Sequence, residues 1–221
     1  MPQLNISNDE LLTTTRAVRK RLDFDRPVER QVLEECMQIA LQAPSGSNAQ
    51  GWQFIFVTDQ DKRSRIAELY RQAFAGYAQS PMSAAAQHAD DPSMAETQAR
   101  VMSSAQYLAD NLHKAPVFFI PCSTGRIDAL SGEGANLAQA STFGSVIPAA
   151  WSFMLAARAR GLGTCWTTLH LMHERATAEI LGIPYEQVTQ VALIPVAYTR
   201  GTEFKPAPRK AMDDVVHFDS W

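Results

Sequence analysis

Cysteine is scarce in this chain: Cys36, Cys122 and Cys165 are the three among 221 residues, an odd number with no CxxC spacing. That excludes a disulfide scaffold and a four-thiolate zinc site, and makes a reducing cytosol the natural compartment. Charge excess of either sign is also missing. Lys plus Arg number 20 against 23 for Asp plus Glu, a formal charge of -3. A general nucleic-acid binder needs a basic excess to displace counterions from phosphates, so no nucleic-acid partner is expected. One small basic pocket remains compatible with that balance. Long apolar runs are absent too. The longest, 146–157, holds Pro148 and Ser152 and stops at Arg158, short of the roughly 20 apolar residues of a spanning helix. Residues 1–24 are polar and then basic, with no apolar core before a small-residue cleavage site, so no secretory signal is expected. The expectation is a soluble, cytoplasmic protein with no membrane attachment. Finally, there is no serine nucleophile elbow, Walker loop or paired-carboxylate signature. Hydrolysis and phosphoryl transfer have no visible machinery.

What is present suffices for one core. With 46% hydrophobic and 19% charged residues, the chain reads as a single domain over 1–221. Residues 11–21 look helical and basic. Pro27 opens a second helix, 28–43, with Val32, Leu33, Cys36, Met37, Ala40 and Leu41 at helical spacing. Residues 52–58 have the β-branched and aromatic content of a buried strand, and a helix with Ile66, Leu69, Tyr70, Ala73 and Phe74 on one face follows. The least patterned segment, 76–92, is rich in Ala, Ser and Gln and reads as a mobile surface excursion. Beyond it come a helix (93–113), a buried strand (116–122) and a long central helix (136–160) interrupted or restarted at Pro148. A short strand (161–168), a helix (173–181) closed by Gly182, and a strand (188–198) complete the pattern. Helices outnumber strands and no linker divides the chain. The class is α+β: one central sheet wrapped by helices.

Two segments suggest chemistry. Arg16, Arg19, Lys20 and Arg21 form a basic cluster in an acidic chain. On a helix, Arg16 and Arg19 would share a face and grip one anion, although a solvated basic face is the ordinary reading of such a cluster. The loop Pro44-Ser45-Gly46-Ser47-Asn48-Ala49-Gln50 places small and hydrogen-bonding residues between a buried helix and a buried strand, a setting suited to a polar heterocycle. His170, His173 and Glu174 invite a zinc reading, but HLMHE matches neither helical zinc spacing. No metal is expected, and helix capping is the better role for these groups. Gly161-Leu162-Gly163 lacks the third glycine and the setting of a dinucleotide fingerprint, so Gly161 reads as a helix C-cap. Without a protein nucleophile, a bound cofactor is the natural carrier of any chemistry, and no side chain is assigned as catalytic.

Several of these segments together resemble the FMN-dependent nitroreductases. Arg16-Ala17-Val18-Arg19 is similar to that family's Arg-Ser-x-Arg opening. Residues 27–59 resemble its helix, flavin loop and first strand, and AAWSFMLAARARGLGTCWTT resembles its central helix and next strand. LGIPYEQVTQVALIPVAYT and KPAPRKAMDDVVHF are similar to its ending. The resemblance implies a central, mainly antiparallel sheet in an intertwined homodimer with FMN at the interface. It implies that Arg16, the Ala17 backbone, Arg19 and Arg209 hold the phosphate and ribityl end. Pro44, Ser45, Gly46, Ser47, Asn48 and Gln50 would line the isoalloxazine, and the backbone of Trp166, Thr167, Thr168 and Leu169 would meet its N5 edge. Arg19 or Lys20 would stabilise negative charge near N1 of the reduced ring. The implied activity is ping-pong reduction of nitroaromatic or quinone-type acceptors by NADPH or NADH. Flavin storage, or a sister activity such as reductive dehalogenation or flavin destruction, would share the same motifs. Ala17 stands where the family has serine, and Gly51 where it often has proline.

Overall fold

The computed structural model describes residues 3–88 and 90–221. Its sheet runs β1 (Leu22–Asp23), β6 (Ile194–Thr199), β3 (Val117–Thr124), β2 (Trp52–Val57), with β4 (Leu162–Thr164) also pairing β6 and β5 (Val188–Gln190) pairing β3; every pairing between these strands is antiparallel. Helices cover both faces. In the central strand β3, alternate side chains go opposite ways: Val117 and Phe119 pack with α2 (Arg30–Ala40) and α6 (Ala135–Ala159), whereas Phe118, Ile120 and Cys122 pack with α3 (Gln60–Ala78) and α5 (Ala95–Asn111). A strand buried on both sides must be apolar throughout, which is why VFFIPC shows no polar alternation. All three cysteines are buried and free. The α+β expectation therefore holds, with the sheet as the middle of three layers.

Four expected elements differ. The helix expected over 11–21 is α1 (Asn8–Thr14) and ends before the basic cluster. The hydroxyls of Thr13, Thr14 and Thr15 each donate to the carbonyl four residues back, at 2.6 Å, and a run of β-branched residues back-bonding in this way weakens a helix end. The chain then leaves as an extended segment, fixed where the Val18 N–H donates to the Thr164 carbonyl at 2.8 Å. Pro148 does not break the central helix: α6 runs unbroken through it. The carbonyl that loses its partner belongs to exposed Gly144, which has open space around it for solvent to enter. α6 is long and apolar enough to cross a membrane by length and composition, unlike the shorter run read from the sequence; here it lies against α2, β3 and β4.

The strand expected over 188–198 is two. Pairing passes from Cys122↔Gln190 to Phe119↔Ile194, so Val191, Ala192 and Leu193 face only Ile120 and Pro121. This bulge bends the strand, and its Leu193 exchanges backbone hydrogen bonds with Thr167 instead. The strand expected over 161–168 accordingly shortens to β4. The 76–92 segment contains the end of α3 and the short helix α4 (Ala84–Gln87), and is largely exposed apart from the cap residue Ser83; position 89 lies outside the described residues. α7 (Glu174–Leu181) ends as expected at Gly182, whose φ of 71° suits glycine.

Candidate functional site

The non-helical segment 16–21, which turns at Arg19 to enter β1, owes its position to Gly163. A Cβ built there would lie 2.6 Å from Thr199 Cγ2, 3.0 Å from Val18 Cβ and 3.1 Å from Leu22 Cδ2. Only glycine lets Val18 sit so close to β4. The Val18 N–H is thereby spent on the Thr164 carbonyl at 2.8 Å, and a turn follows in which the Leu22 N–H donates to the Arg19 carbonyl at 3.2 Å.

The stretch after β6 is strapped across this segment. Arg21 Nε donates to the Arg200 carbonyl (3.0 Å) and Nη1 to that of Glu203 (2.8 Å), while Arg16 Nη1 donates to that of Lys205 (3.0 Å). Phe204 is flanked by the guanidinium carbons of Arg21 and Arg158, 4.2 and 4.9 Å from its ring centre. The result is a cavity of about 470 Å³, lined by Arg16, Ala17, Arg19, Lys20 and Lys205 among others. Three arginines and two lysines on or beside it make it the cationic concavity that a phosphate requires. Expected residues Arg16, Ala17 and Arg19 are thus brought together, though by a non-helical segment and not by a helix face. Lys205 was missed; its signal was a lysine beside Pro206 just after the last strand. Arg209 is exposed, donates to its neighbour's carbonyl at Pro208, and does not line this cavity.

Arg19 links the cationic segment to the 166–169 turn. Its Nη1 donates to Ser104 Oγ on α5 at 3.3 Å, and its charge lies beside the Cys165 thiol and the Tyr70 hydroxyl, opposing the upward push that burial gives both. Tyr70 in turn lies against Thr167. Thr167 itself is fixed, its N–H and hydroxyl both reaching the Leu193 carbonyl, at 3.1 and 2.6 Å. Thr168 is exposed, and a 3-10 turn, Leu169–His173, follows. The first N–H groups of such a turn have no acceptor inside it, so they are donors available to a ring edge.

That turn is held from behind. The Arg126 guanidinium forms a two-point pair with Glu174, at 3.0 and 2.8 Å, and also donates to the Tyr185 and Val188 carbonyls. Glu174 Oε1 further accepts the Gln190 N–H at 2.8 Å. The two histidines do not cap α7. His173 makes no side-chain cap bond, and His170 is wholly buried with neither ring nitrogen bonded. Burial drives His170 down to a pKa of about 3, which keeps it neutral. Among the described residues no group of three His, Cys, Asp or Glu side chains is placed to hold a metal ion.

The loop from Pro44 to Gln50 lies elsewhere. It packs on the N-terminal half of α6, with the Gly46 N–H donating to Ser145 Oγ at 2.9 Å. Gln50 N–H donates to Ser45 Oγ and its side-chain amide to Asn48 Oδ1, both at 3.1 Å. Ser47, Asn48 and Gln50 all have positive φ, at 51°, 53° and 47°. Three non-glycine residues in the left-handed region, each at a cost of order 1 kcal/mol, are a strained constellation of the kind that clusters at ligand sites. A cavity of about 140 Å³ beside it is lined by Gly46, Gly51, Ser141 and Ser145 and shares no residue with the cationic one. Within one chain the two halves of the expected site are therefore separate.

The described donors fit FMN by their chemistry: a cationic cradle for a phosphate, a turn with free N–H groups, and a polar loop for a heterocycle. The model of the "Nitroreductase family" matches residues 12–198. A relative from Archaeoglobus fulgidus, named provisionally as an NADH dehydrogenase/NAD(P)H nitroreductase, is 23% identical over 96% of this chain and 97% of its own length. Among solved structures, an iodotyrosine deiodinase bound to FMN and 3-iodo-L-tyrosine is similar with a TM-score of 0.70, at 20% identity over 96% of this chain and 99% of that one. An FMN and NADPH-dependent nitroreductase from Sphigopyxis sp. strain HMH gives 0.68, at 21% identity over 98% and 100%.

Proposed function

The chain belongs to the nitroreductase family, and from that premise we propose that it is an FMN-dependent NAD(P)H oxidoreductase of nitroaromatic or quinone-type acceptors. The observation that carries the reading is Arg19, which joins the cationic cavity on one side to the Cys165–Thr167 strand end on the other. When bound, FMN would supply two-electron chemistry, taking a hydride from NAD(P)H at N5 and passing it to the acceptor in a second half-reaction, in ping-pong order.

The residues of the chain then divide the work. Arg16, the Ala17 amide and Lys205 would hold the phosphate; Arg209, expected from the resemblance to close on it, is turned to the Pro208 carbonyl and would have to swing in from the tail. Arg19, or Lys20 beside it, places positive charge where the reduced ring becomes anionic near N1. The backbone from Trp166 to Leu169 would supply N–H donors to the N5 edge of the bound ring. Pro44, Ser45, Gly46, Ser47, Asn48 and Gln50 line the ring from a second copy of the chain, which explains why one copy keeps the loop and the cationic cavity apart. The assembly is accordingly a homodimer with small-molecule substrates, acting in the cytoplasm. No protein acid is required for a nitro group, whose oxygens take protons from water.

The first experiment is a visible spectrum of the purified protein, followed by anaerobic NADPH and NADH in separate cuvettes. The expected result is a yellow protein that bleaches and regains colour with a nitrofuran or quinone. A protein that neither carries nor takes up FMN overturns the proposal, and one that holds FMN but is bleached by neither nucleotide points to flavin storage or to a different electron donor. Similarity to the iodotyrosine deiodinase favours one second reading, reductive dehalogenation on the same flavin. Halide release from a halogenated phenol, faster than any nitro or quinone turnover, would establish that instead.

A further inference from the structure

The cationic cavity continues into a wider one of about 950 Å³, which shares Arg16, Ala17, Arg19, Lys20, Arg21 and Ser104 with it and extends between the 16–21 segment and α5. Glu96, Thr97, Arg100, Ser103 and Ser104 line it at three- and four-residue spacing, one face of the helix. Leu108, Ala109 and Leu112 further along belong to the core. This helix thus turns three hydroxyls and the Arg100–Glu96 pair onto a segment that is already cationic.

The cations around this cavity are not equally committed. Arg16 and Arg21 donate to backbone carbonyls of the strap, and Arg19 is drawn inward toward Ser104 and Cys165. Lys20 is different: its Nζ donates to Ser103 Oγ at 2.8 Å, and among the described residues it has no carboxylate partner. Arg100 has Glu96 at 3.2 Å, but both side chains are more than two-thirds exposed, and solvent screens such a pair. A chain of net charge -3 has gathered Lys20 and Arg100 beside three further arginines. Like charges so placed repel one another unless an anion joins them. The FMN phosphate accounts for Arg16 and its immediate neighbours. On the α5 side the one carboxylate lining the cavity among the described residues is Glu96, which faces Arg100, so Lys20 is left with the Ser103 hydroxyl.

We propose that Lys20, Arg100 and Ser103 form an anion subsite that selects reaction partners carrying a phosphate or carboxylate group. The inference rests on the oxidoreductase reading and names its substrate class. Two sources share this chemistry: the 2′-phosphate of NADPH, and a carboxylate on the aromatic acceptor. A cavity of this size accommodates either. A charged hydrogen bond of about 1.5–3 kcal/mol corresponds to roughly a 10- to 150-fold preference.

The test compares ratios, so that general losses cancel. In the donor arm, kcat/KM for NADPH is divided by that for NADH with a fixed quinone. In the acceptor arm, the value for 4-nitrobenzoate is divided by that for nitrobenzene with a fixed donor. Wild type is expected to favour the charged partner at least about tenfold in one arm, and that arm identifies the source. Arg100→Gln and Lys20→Met should each lower that ratio severalfold. A parallel titration by calorimetry, with adenosine 2′,5′-bisphosphate and 4-nitrobenzoate as probes, reads binding without turnover and should lose the same preference in the same variants. Ratios near one in both arms, or a preference that survives the double variant, overturn the subsite. If the protein takes up no FMN, the oxidoreductase reading has failed separately. Calorimetry on the flavin-free protein then decides the subsite by itself: binding of a charged probe lost in Arg100→Gln supports it, and no binding overturns it.

Discussion

Gly163 shows how one missing side chain sets the position of a charged segment. Replacement by alanine puts a methyl group against Val18, Leu22 and Thr199, and overpacking of this kind costs about 1–3 kcal/mol. Val18 has the non-helical segment to move with it, so the strain is relieved by shifting Arg16 and Arg19. Gly163→Ala should therefore lower FMN affinity at least tenfold while the protein still unfolds cooperatively. Equilibrium dialysis against FMN and a thermal melt separate the two effects. His170 makes a prediction in pH. Its folded pKa of about 3 lies below the ordinary histidine value. Above about pH 6.5 both states are neutral at this residue and nothing is lost. As pH falls below that value the unfolded chain takes up a proton that the folded one refuses, so stability declines by up to about 1.4 kcal/mol per pH unit until the folded pKa is reached. Urea midpoints between about pH 7.5 and pH 5 should fall more steeply in wild type than in His170→Leu, which has no group to titrate.

Among the elements, the 3-10 turn after β4 has few bonds of its own and depends on α7 for its place. Glu174, in the first turn of α7, carries that dependence through its pair with Arg126 and its bond from the Gln190 amide. Both side chains of the pair are only about an eighth exposed, 13% for Arg126 and 12% for Glu174. Removing one partner leaves the other charge buried, at a typical cost of 3–5 kcal/mol. Arg126 keeps Asp128 and two carbonyls, so Glu174→Ala should fall near about 3 kcal/mol by urea unfolding. The same variant should loosen Thr168 and Leu169, read as faster amide exchange there than in β3.

At the scale of the whole molecule, the separation of the 44–50 loop from the cationic cavity makes a prediction about assembly. If each flavin site draws on two copies, a variant damaged in the cavity and one damaged in the loop complement each other. Arg16→Ala and the double variant Asn48→Ala, Gln50→Ala should each purify with little flavin. Refolded together in equal amounts, they should regain about a quarter of the wild-type sites, because mixed dimers hold one intact site of two. Flavin absorbance per chain measures it. No recovery would mean that each site is built within one copy.

Much of this architecture was legible in the sequence, and for local reasons. The apolar runs at 52–57 and 117–122 announce strands because burial on both faces tolerates no polar alternation. Gly182 and Gly161 announce helix ends because only glycine adopts positive φ without cost. The residue types of the candidate site were equally visible, down to Arg16, Arg19 and the polar loop. What the sequence misjudged was how distant parts meet. Arg16 and Arg19 have helical spacing, yet a bond from the Val18 N–H to the Thr164 carbonyl of β4 outweighs a helix already weakened by three threonines. Lys205 became a cavity residue because Arg21 and Arg158 hold Phe204 between them, and their 183- and 46-residue separations from it are invisible to any local pattern. Composition and periodicity thus determined the elements, since both act within a few residues along the chain, while the family came from the resemblance of whole segments. Tertiary structure alone decided which cations share a cavity and which half of the site stands apart, since those outcomes depend on contacts that form only after the sheet closes.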